Sequence, residues 1–265
     1  MNRVIPGLVL AVCWLLLLLK GSVTIFVLVL VPILAIGAYE YGKMAFSEQS
    51  FFFRLSFALL SILPLLIVFF RPRYGIGGGL CLAFLLLAFW TLAKYGEGFD
   101  AYGFFSRASL GLLYIGFLGA HLLLLRELPQ GNCWLLILTG ITAGSDSGAY
   151  YCGRAFGKHK LSPLISPKKT VEGAVGGLLA GMVTSAVLAM FLFASVPWTF
   201  LLPVALFLGI VGISGDLTES VLKRATGTKD SGDLLGGHGG ILDRGDSLLF
   251  AAPVLYYLLL ASGTV

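Results

Sequence analysis

The chain has 265 residues, 58% of them hydrophobic and only 12% charged, with a mean hydropathy of +0.95 and a formal net charge of +5. Soluble domains carry about 25% charged residues, so the composition excludes an ordinary water-soluble fold, and the recurring apolar runs point to a polytopic membrane protein. The positive charge does not call for nucleic acid, because its distribution along the chain is better explained by membrane orientation.

Crossing the hydrocarbon takes about 20 apolar residues in a helix. Nine spans are predicted, over 4–19, 22–42, 53–70, 76–94, 108–125, 132–153, 171–194, 198–222 and 245–262. They make an all-α integral membrane protein of one domain, 1–265, with N-terminal spans in 1–125 and the functional spans and loops in 126–265. The first run follows a basic residue, as a signal peptide would. It lacks a small-x-small cleavage site and leads at once into the second run, so it is read as a retained span. Lys20-Gly21-Ser22 must then form a tight hairpin. Pro32 and Pro64 lie inside spans and are expected to kink them. Cys13, Cys81, Cys133 and Cys152 fall in spans at no metal-like spacing, and are expected to be small buried apolar residues without disulfides.

With the N-terminus inside, fourteen of the 18 Lys and Arg residues fall in inner loops, and Lys20, Arg71, Arg73 and Arg126 fall outside. That is the bias of cytosolic loops. Nine of the fourteen sit in two loops, 154–170 and 223–244, so the orientation leans on the loops that also look functional. These two loops share a face because two spans separate them. The first half of the chain has few intramembrane charges and no readable motif.

The first motif is Ser145-Asp146-Ser147-Gly148-Ala149-Tyr150-Tyr151 at the inner end of the sixth span. Asp146, Tyr150 and Arg154 stand at i, i+4 and i+8, on one helical face. An acid within a span is costly and usually faces the bundle interior. A packing hydrogen bond would explain it, but a ligand contact is favoured. Next come two Ser-Pro pairs, Ser162-Pro163 and Ser166-Pro167, which stiffen a short loop ahead of Thr170, an N-cap for the following helix. Lys168 and Lys169 precede that helix N-terminus, where free N–H groups favour an anion. They suit a phosphate clamp for a nucleotide or an anionic lipid, with headgroup anchoring as the plainer alternative. Gly173, Gly176, Gly177 and Gly181 then permit close helix packing. His159 alone tells little.

Asp216, Glu219 or Ser220, and Lys223 share one face at the end of the eighth span, where salt bridges are the alternative to ligand binding. Gly227 permits a break. Lys229 and Asp230 follow, then Gly236-Gly237-His238-Gly239-Gly240, whose backbone can approach a ligand closely. Asp243 and Asp246 open the last span at i and i+3, with Arg244 between them. Two carboxylates so close repel unless a cation or proton lies between, and hard oxygen ligands near phosphates suit Mg²⁺. A helix cap explains either aspartate singly, but not both together with Asp216 and the surrounding bases.

Ser220-x-x-Lys223-Arg224-x4-Lys229-Asp230, followed by His238-Gly239-Gly240-x-x-Asp243-Arg244-x-Asp246, resembles the signature of the phosphatidate cytidylyltransferase, or CDP-diacylglycerol synthase, family. Asp146-x-Gly148-Ala149-Tyr150, Ser166-Pro167-Lys168-Lys169-Thr170-Val171-Glu172-Gly173 and Gly215-Asp216 match as well. The resemblance is specific over 145–247 and general before it. Gly236-Gly237 stands where the family commonly has proline-glycine, and Ser147 where it has threonine; neither change removes a carboxylate or a base.

The resemblance implies a nine-span fold in the cell membrane, with a polar cavity open to the cytosol and CTP and phosphatidate as substrates. It implies Mg²⁺, with K⁺ as a candidate second metal, on Asp216, Asp243 and Asp246. Those aspartates with Lys223 would be catalytic. Asp146, Lys168, Lys169, Ser220, Arg224, Lys229, His238 and Arg244 would bind substrate, and the protein would form a homodimer. A secondary transporter would spread its acids near the midplane of repeated halves; here they cluster near one face, and no internal repeat is found. A CTP-dependent lipid-alcohol kinase would have to activate a hydroxyl, and the signature fits it less closely. One structural requirement follows: the loop after Asp216 must fold back if all three aspartates are to share metal.

Overall fold

The computed structural model describes residues 4–232, 234 and 239–264. Helices run over Val4–Lys20 (α1), Val23–Ala45 (α2), Phe51–Ser61 (α3), Leu63–Phe70 (α4), Gly75–Lys94 (α5), Ala101–Gly111 (α6), Leu118–Glu127 (α7), Gly131–Phe156 (α8), Val171–Leu192 (α9), Trp198–Ala225 (α10) and Leu242–Ser262 (α11). Two short strands, Lys160–Ser162 (β1) and Ser166–Thr170 (β2), pair antiparallel. Among the described residues, seven helical stretches are long and apolar enough to cross a membrane. The protein is therefore an all-α polytopic membrane protein. Of the other two expected spans, α1 has 17 residues, and α8 interrupts its apolar surface with Asp146 and several Ser, Thr and Gly residues.

The chain divides into two compact units, one of residues 1–21, 125–229 and 245–265, the other of residues 22–124 and 230–244. In the first unit α8 and α9 pack with almost no side chain between them. Side chains on Gly173, Gly177 and Gly181 would press on the carbonyl oxygens of Ala149, Ser145 and Ile141, at 2.9, 2.7 and 3.0 Å from the added carbon. A glycine every fourth residue on α9 thus meets a carbonyl every fourth residue on α8, the close approach that small residues allow between membrane helices. The Ser145 hydroxyl locks the pair by donating to the Gly177 carbonyl at 3.0 Å. Gly177→Val is expected to cost at least 1–3 kcal/mol by overpacking, read as a lower unfolding temperature in detergent. An unchanged temperature would contradict this packing.

α10 and α11 approach through Gly212, whose carbonyl accepts from the Ser247 hydroxyl at 3.0 Å, and through Gly215, where a side chain would collide with the Asp246 carbonyl and the Phe250 ring. α1 joins α8 through the Trp14 indole, which donates to Thr139 Oγ1 at 3.1 Å. The expected break at Gly227 is present, with φ of +68°. Gly227 N–H donates to the Arg224 carbonyl and Thr228 N–H to the Lys223 carbonyl, the paired bonds that end a helix on a left-handed glycine.

The second unit is built on an aromatic cluster. Phe46, Phe53, Phe57, Trp90 and Phe104 stack edge-on or tilted at centroid distances of 4.8–5.7 Å. The Tyr41 hydroxyl donates to the Arg107 carbonyl at 2.7 Å. Pro64 sits in the first turn of α4, so the predicted kink is a break between α3 and α4. Pro32 lies within an uninterrupted α2. A π-helical turn, Leu112–Phe117, joins α6 to α7, with Gly116 packed against the Ser61 carbonyl. All four cysteines are free, but Cys13 and Cys81 are exposed on apolar helix faces rather than buried: in a bilayer, lipid takes the place of a core.

Candidate active site

The segment expected as a stiff loop, 157–170, folds as a hairpin. β1 and β2 pair Lys160 with Thr170 and Ser162 with Ser166. Thr170 ends β2 and caps α9, its hydroxyl accepting from Gly173 N–H. Glu172 in the first turn of α9 fastens the other side, accepting from the backbone N–H groups of Lys158 at 3.0 Å and His159 at 3.2 Å. Consecutive residues of a strand face opposite ways, so Lys168 is exposed while Lys169 turns inward and forms an ion pair with Asp216.

Both lysines line a cavity of about 390 Å³ within the first unit. Its wall includes Asp146, Tyr150 and Arg154, the i, i+4, i+8 face predicted for α8, with Asp216 from α10 and Ser247 from α11. Arg154 reaches back one turn and donates to the Tyr150 hydroxyl at 3.3 Å. The rest of the lining includes apolar or small residues, among them Ala149, Leu208, Gly209 and Ile213. The cavity thus combines charged groups of both signs with apolar lining, suited to a ligand with a polyanionic head and an apolar body.

Asp246 is 7% exposed, with Oδ1 accepting from its neighbour Ser247 N–H at 2.6 Å. It feels the charges of Asp216 and Asp146, and the Glu219 carboxyl lies within hydrogen-bond reach. Asp146, Asp216 and Asp246, predicted from positions 100 residues apart, are brought to one neighbourhood. Lys223 turns to Glu219 instead, pairing at 3.0 Å with both side chains largely buried. That is the salt bridge weighed as the alternative on this face.

Within the second unit, Ser231 and Gly240 come together at the start of α11. Asp243 Oδ2 accepts from Ser231 N–H at 2.9 Å, from the Ser231 hydroxyl at 3.0 Å and from Gly240 N–H at 2.8 Å. Asp243 therefore ties Ser231 to Gly240 just ahead of α11. Gly239 has φ of +79°, a value that favours glycine.

The remaining predicted residues are more dispersed. Ser220 is half-buried on α10 beside Glu219, and Arg224, Lys229 and Arg244 are exposed; Arg224 Nε touches the hairpin at the Ile165 carbonyl, 3.5 Å away. His238 lies outside the described residues. Sequence reasoning missed Ser247 and above all Glu40, a carboxylate only 3% exposed on α2. An acid in an apolar span is itself the signal, but Glu40 belongs to no motif.

Among the described residues, no three carboxylate, imidazole or thiolate groups converge at metal-ligand spacing. The donors are nonetheless hard oxygens, and Asp216 and Asp246 meet across two packed helices. This fits Mg²⁺, which typically takes one or two carboxylates and completes its shell with water and substrate oxygens.

Comparison with known proteins gives the same direction. The model of the cytidylyltransferase family matches residues 1–262. A phosphatidate cytidylyltransferase of Bacillus subtilis is 35% identical over 272 residues, covering 97% of each chain. One from Pseudomonas aeruginosa is 37% identical, covering 93% of this chain and 91% of its own. One from Brucella suis is 38% identical, covering 96% and 91%.

Proposed function

The chain belongs to the cytidylyltransferase family, and from that premise we propose that it makes CDP-diacylglycerol and diphosphate from CTP and phosphatidate. The observation that carries this reading is the cavity, whose lining joins Lys168, Lys169, Arg154, Asp146 and Asp216 with apolar residues. A phosphate oxygen of phosphatidate attacks the α-phosphorus of CTP. A new P–O bond forms, the bond to the bridging oxygen breaks, and diphosphate leaves with its electron pair. The nucleophile is already anionic, so no strong base is needed. The chemical problem is to bring two polyanions together.

Lys168 and Lys169 neutralise phosphate charge at the start of α9, and the apolar part of the lining receives the lipid's glycerol and acyl carbons. Arg154, steadied by Tyr150, adds a third cation to the same lining. Arg224, Lys229 and Arg244 are proposed as further phosphate contacts, with Ser220 and His238 beside them. Asp216 and Asp246 would hold Mg²⁺, with Asp243 one turn earlier on α11 in the same set and K⁺ as the second-metal candidate. Bound there, the metal would offset charge on the phosphate oxygens and orient them for in-line displacement. The lysine-rich loops favour a cytosolic opening, and the bacterial relatives support residence in the plasma membrane, where a homodimer is also proposed.

The deciding experiment incubates purified protein with labelled CTP, phosphatidate, Mg²⁺ and K⁺. Label is expected in a lipid product, with one diphosphate released per lipid labelled. Diphosphate without labelled lipid, or no turnover at all, would overturn the assignment.

A further inference from the structure

The first turn of a helix leaves its N–H groups without intrahelical partners, and the start of α11 meets this need from outside its own loop. Glu40, near the end of α2 and almost wholly buried, accepts from Ile241 N–H at 3.1 Å through Oε1 and from Leu242 N–H at 2.9 Å through Oε2. Its Oε2 also lies 3.1 Å from the Ser231 hydroxyl, whose single proton it shares with Asp243 Oδ2. Glycine is needed on both sides: a side chain on Gly232 or Gly240 would overlap the Glu40 carboxylate. Asp243, in turn, holds Gly240 N–H and Ser231. Two carboxylates 203 positions apart in sequence thus share one serine and divide three successive N–H groups, those of Gly240, Ile241 and Leu242.

A buried carboxylate is expensive, and it is retained only with compensating donors. Among the described residues, those of Glu40 come from the loop and helix start that carry Asp243 and Arg244, with Asp246 three residues further on. We infer that Glu40 is a positioning residue for nucleotidyl transfer, clamping the glycine-rich loop so that Asp243 and the first turn of α11 hold a single orientation. Glu40 touches no reacting atom in this account. It acts through Ser231 and the backbone at 240–242. The inference of a catalytic consequence rests on the proposed transfer reaction; the clamp itself does not.

The test compares wild type with Glu40→Ala and Glu40→Gln in detergent, following hydrogen exchange at 239–243 alongside turnover. Glu40→Ala is expected to speed exchange at Ile241 and Leu242 at least tenfold while α8 and α9 stay protected. It should lower kcat by about 100-fold, the scale of a displaced catalytic group, with KM for CTP within about threefold. Glu40→Gln, which keeps the volume and one acceptor oxygen, should fall between the two, and it decides the matter if the alanine variant does not fold. Adding Gly232→Ala, harmful alone because the nearest atoms to its methyl are all those of Glu40, should cost little more in the Glu40→Ala background. Wild-type exchange at 241–242 in the Glu40 variants, or loosened exchange with unchanged kcat, would overturn the inference. If wild type itself forms no lipid product, the reaction assignment fails, while the exchange arm still decides whether the clamp exists.

Discussion

Asp246→Asn should lower the rate of CDP-diacylglycerol formation by about a thousand-fold or more, a loss of about 4 kcal/mol of transition-state stabilisation, and leave the protein folded. The asparagine has the shape of the aspartate, and its amide oxygen can keep the 2.6 Å contact with Ser247 N–H. The Ser247–Gly212 bond that joins α11 to α10 does not involve the carboxyl at all. What the substitution removes is charge, at a buried position beside Asp216 where two like charges need a cation or a proton between them. Thermal stability should therefore be kept or slightly raised, since burying an amide costs less than burying a carboxylate. Turnover across an Mg²⁺ titration, with unfolding temperature measured on the same preparation, separates the two effects. Activity within tenfold of wild type at ordinary Mg²⁺ would remove Asp246 from the proposed metal set. Asp243→Asn is a less clean variant, because Asp243 Oδ2 receives three hydrogen bonds from its own loop.

Lys169→Ala should lower kcat/KM for CTP by about 100-fold, or about 2.7 kcal/mol, and Lys168→Ala by about tenfold. The difference comes from the hairpin. Lys169 is 25% exposed and paired with Asp216, itself 33% exposed, so its charge acts in a partly desolvated cavity where electrostatics are strong. Lys168 projects toward solvent from the neighbouring strand position, where salt screens it. Raising ionic strength should therefore shrink the Lys168 effect and largely spare that of Lys169. Equal losses with equal salt sensitivity would mean that the two lysines act as one diffuse basic patch. The Lys169 variant should also bind Mg²⁺ differently, because Asp216 loses the cation that faces it.

The helices and their ends were legible because they are local. Apolar runs of bilayer length, Thr170 as a cap, Gly227 as a break and the shared face of Asp146, Tyr150 and Arg154 all follow from side-chain chemistry within a few turns. The same holds for Asp243 and Asp246 at i and i+3, and the family signature lies in one stretch of chain. The hairpin at 160–170 escaped because its strands are three and five residues long, too short for alternation to register, and its two prolines read as loop.

What only the tertiary structure decided is which acids and bases meet. On sequence spacing the face of Glu219 and Lys223 could bind ligand or form a salt bridge, and packing brings the two together at 3.0 Å. Lys169 meets Asp216 because tertiary packing brings the hairpin beside α10, which it also touches through Arg224. Glu40 carried no motif, and its role appeared only when a loop nearly 200 residues later brought it two N–H groups and a hydroxyl. Spacing within a helix is set by its 1.5 Å rise and 3.6-residue turn. Meetings between helices are set by glycine contacts and buried hydrogen bonds, to which distant residues contribute together.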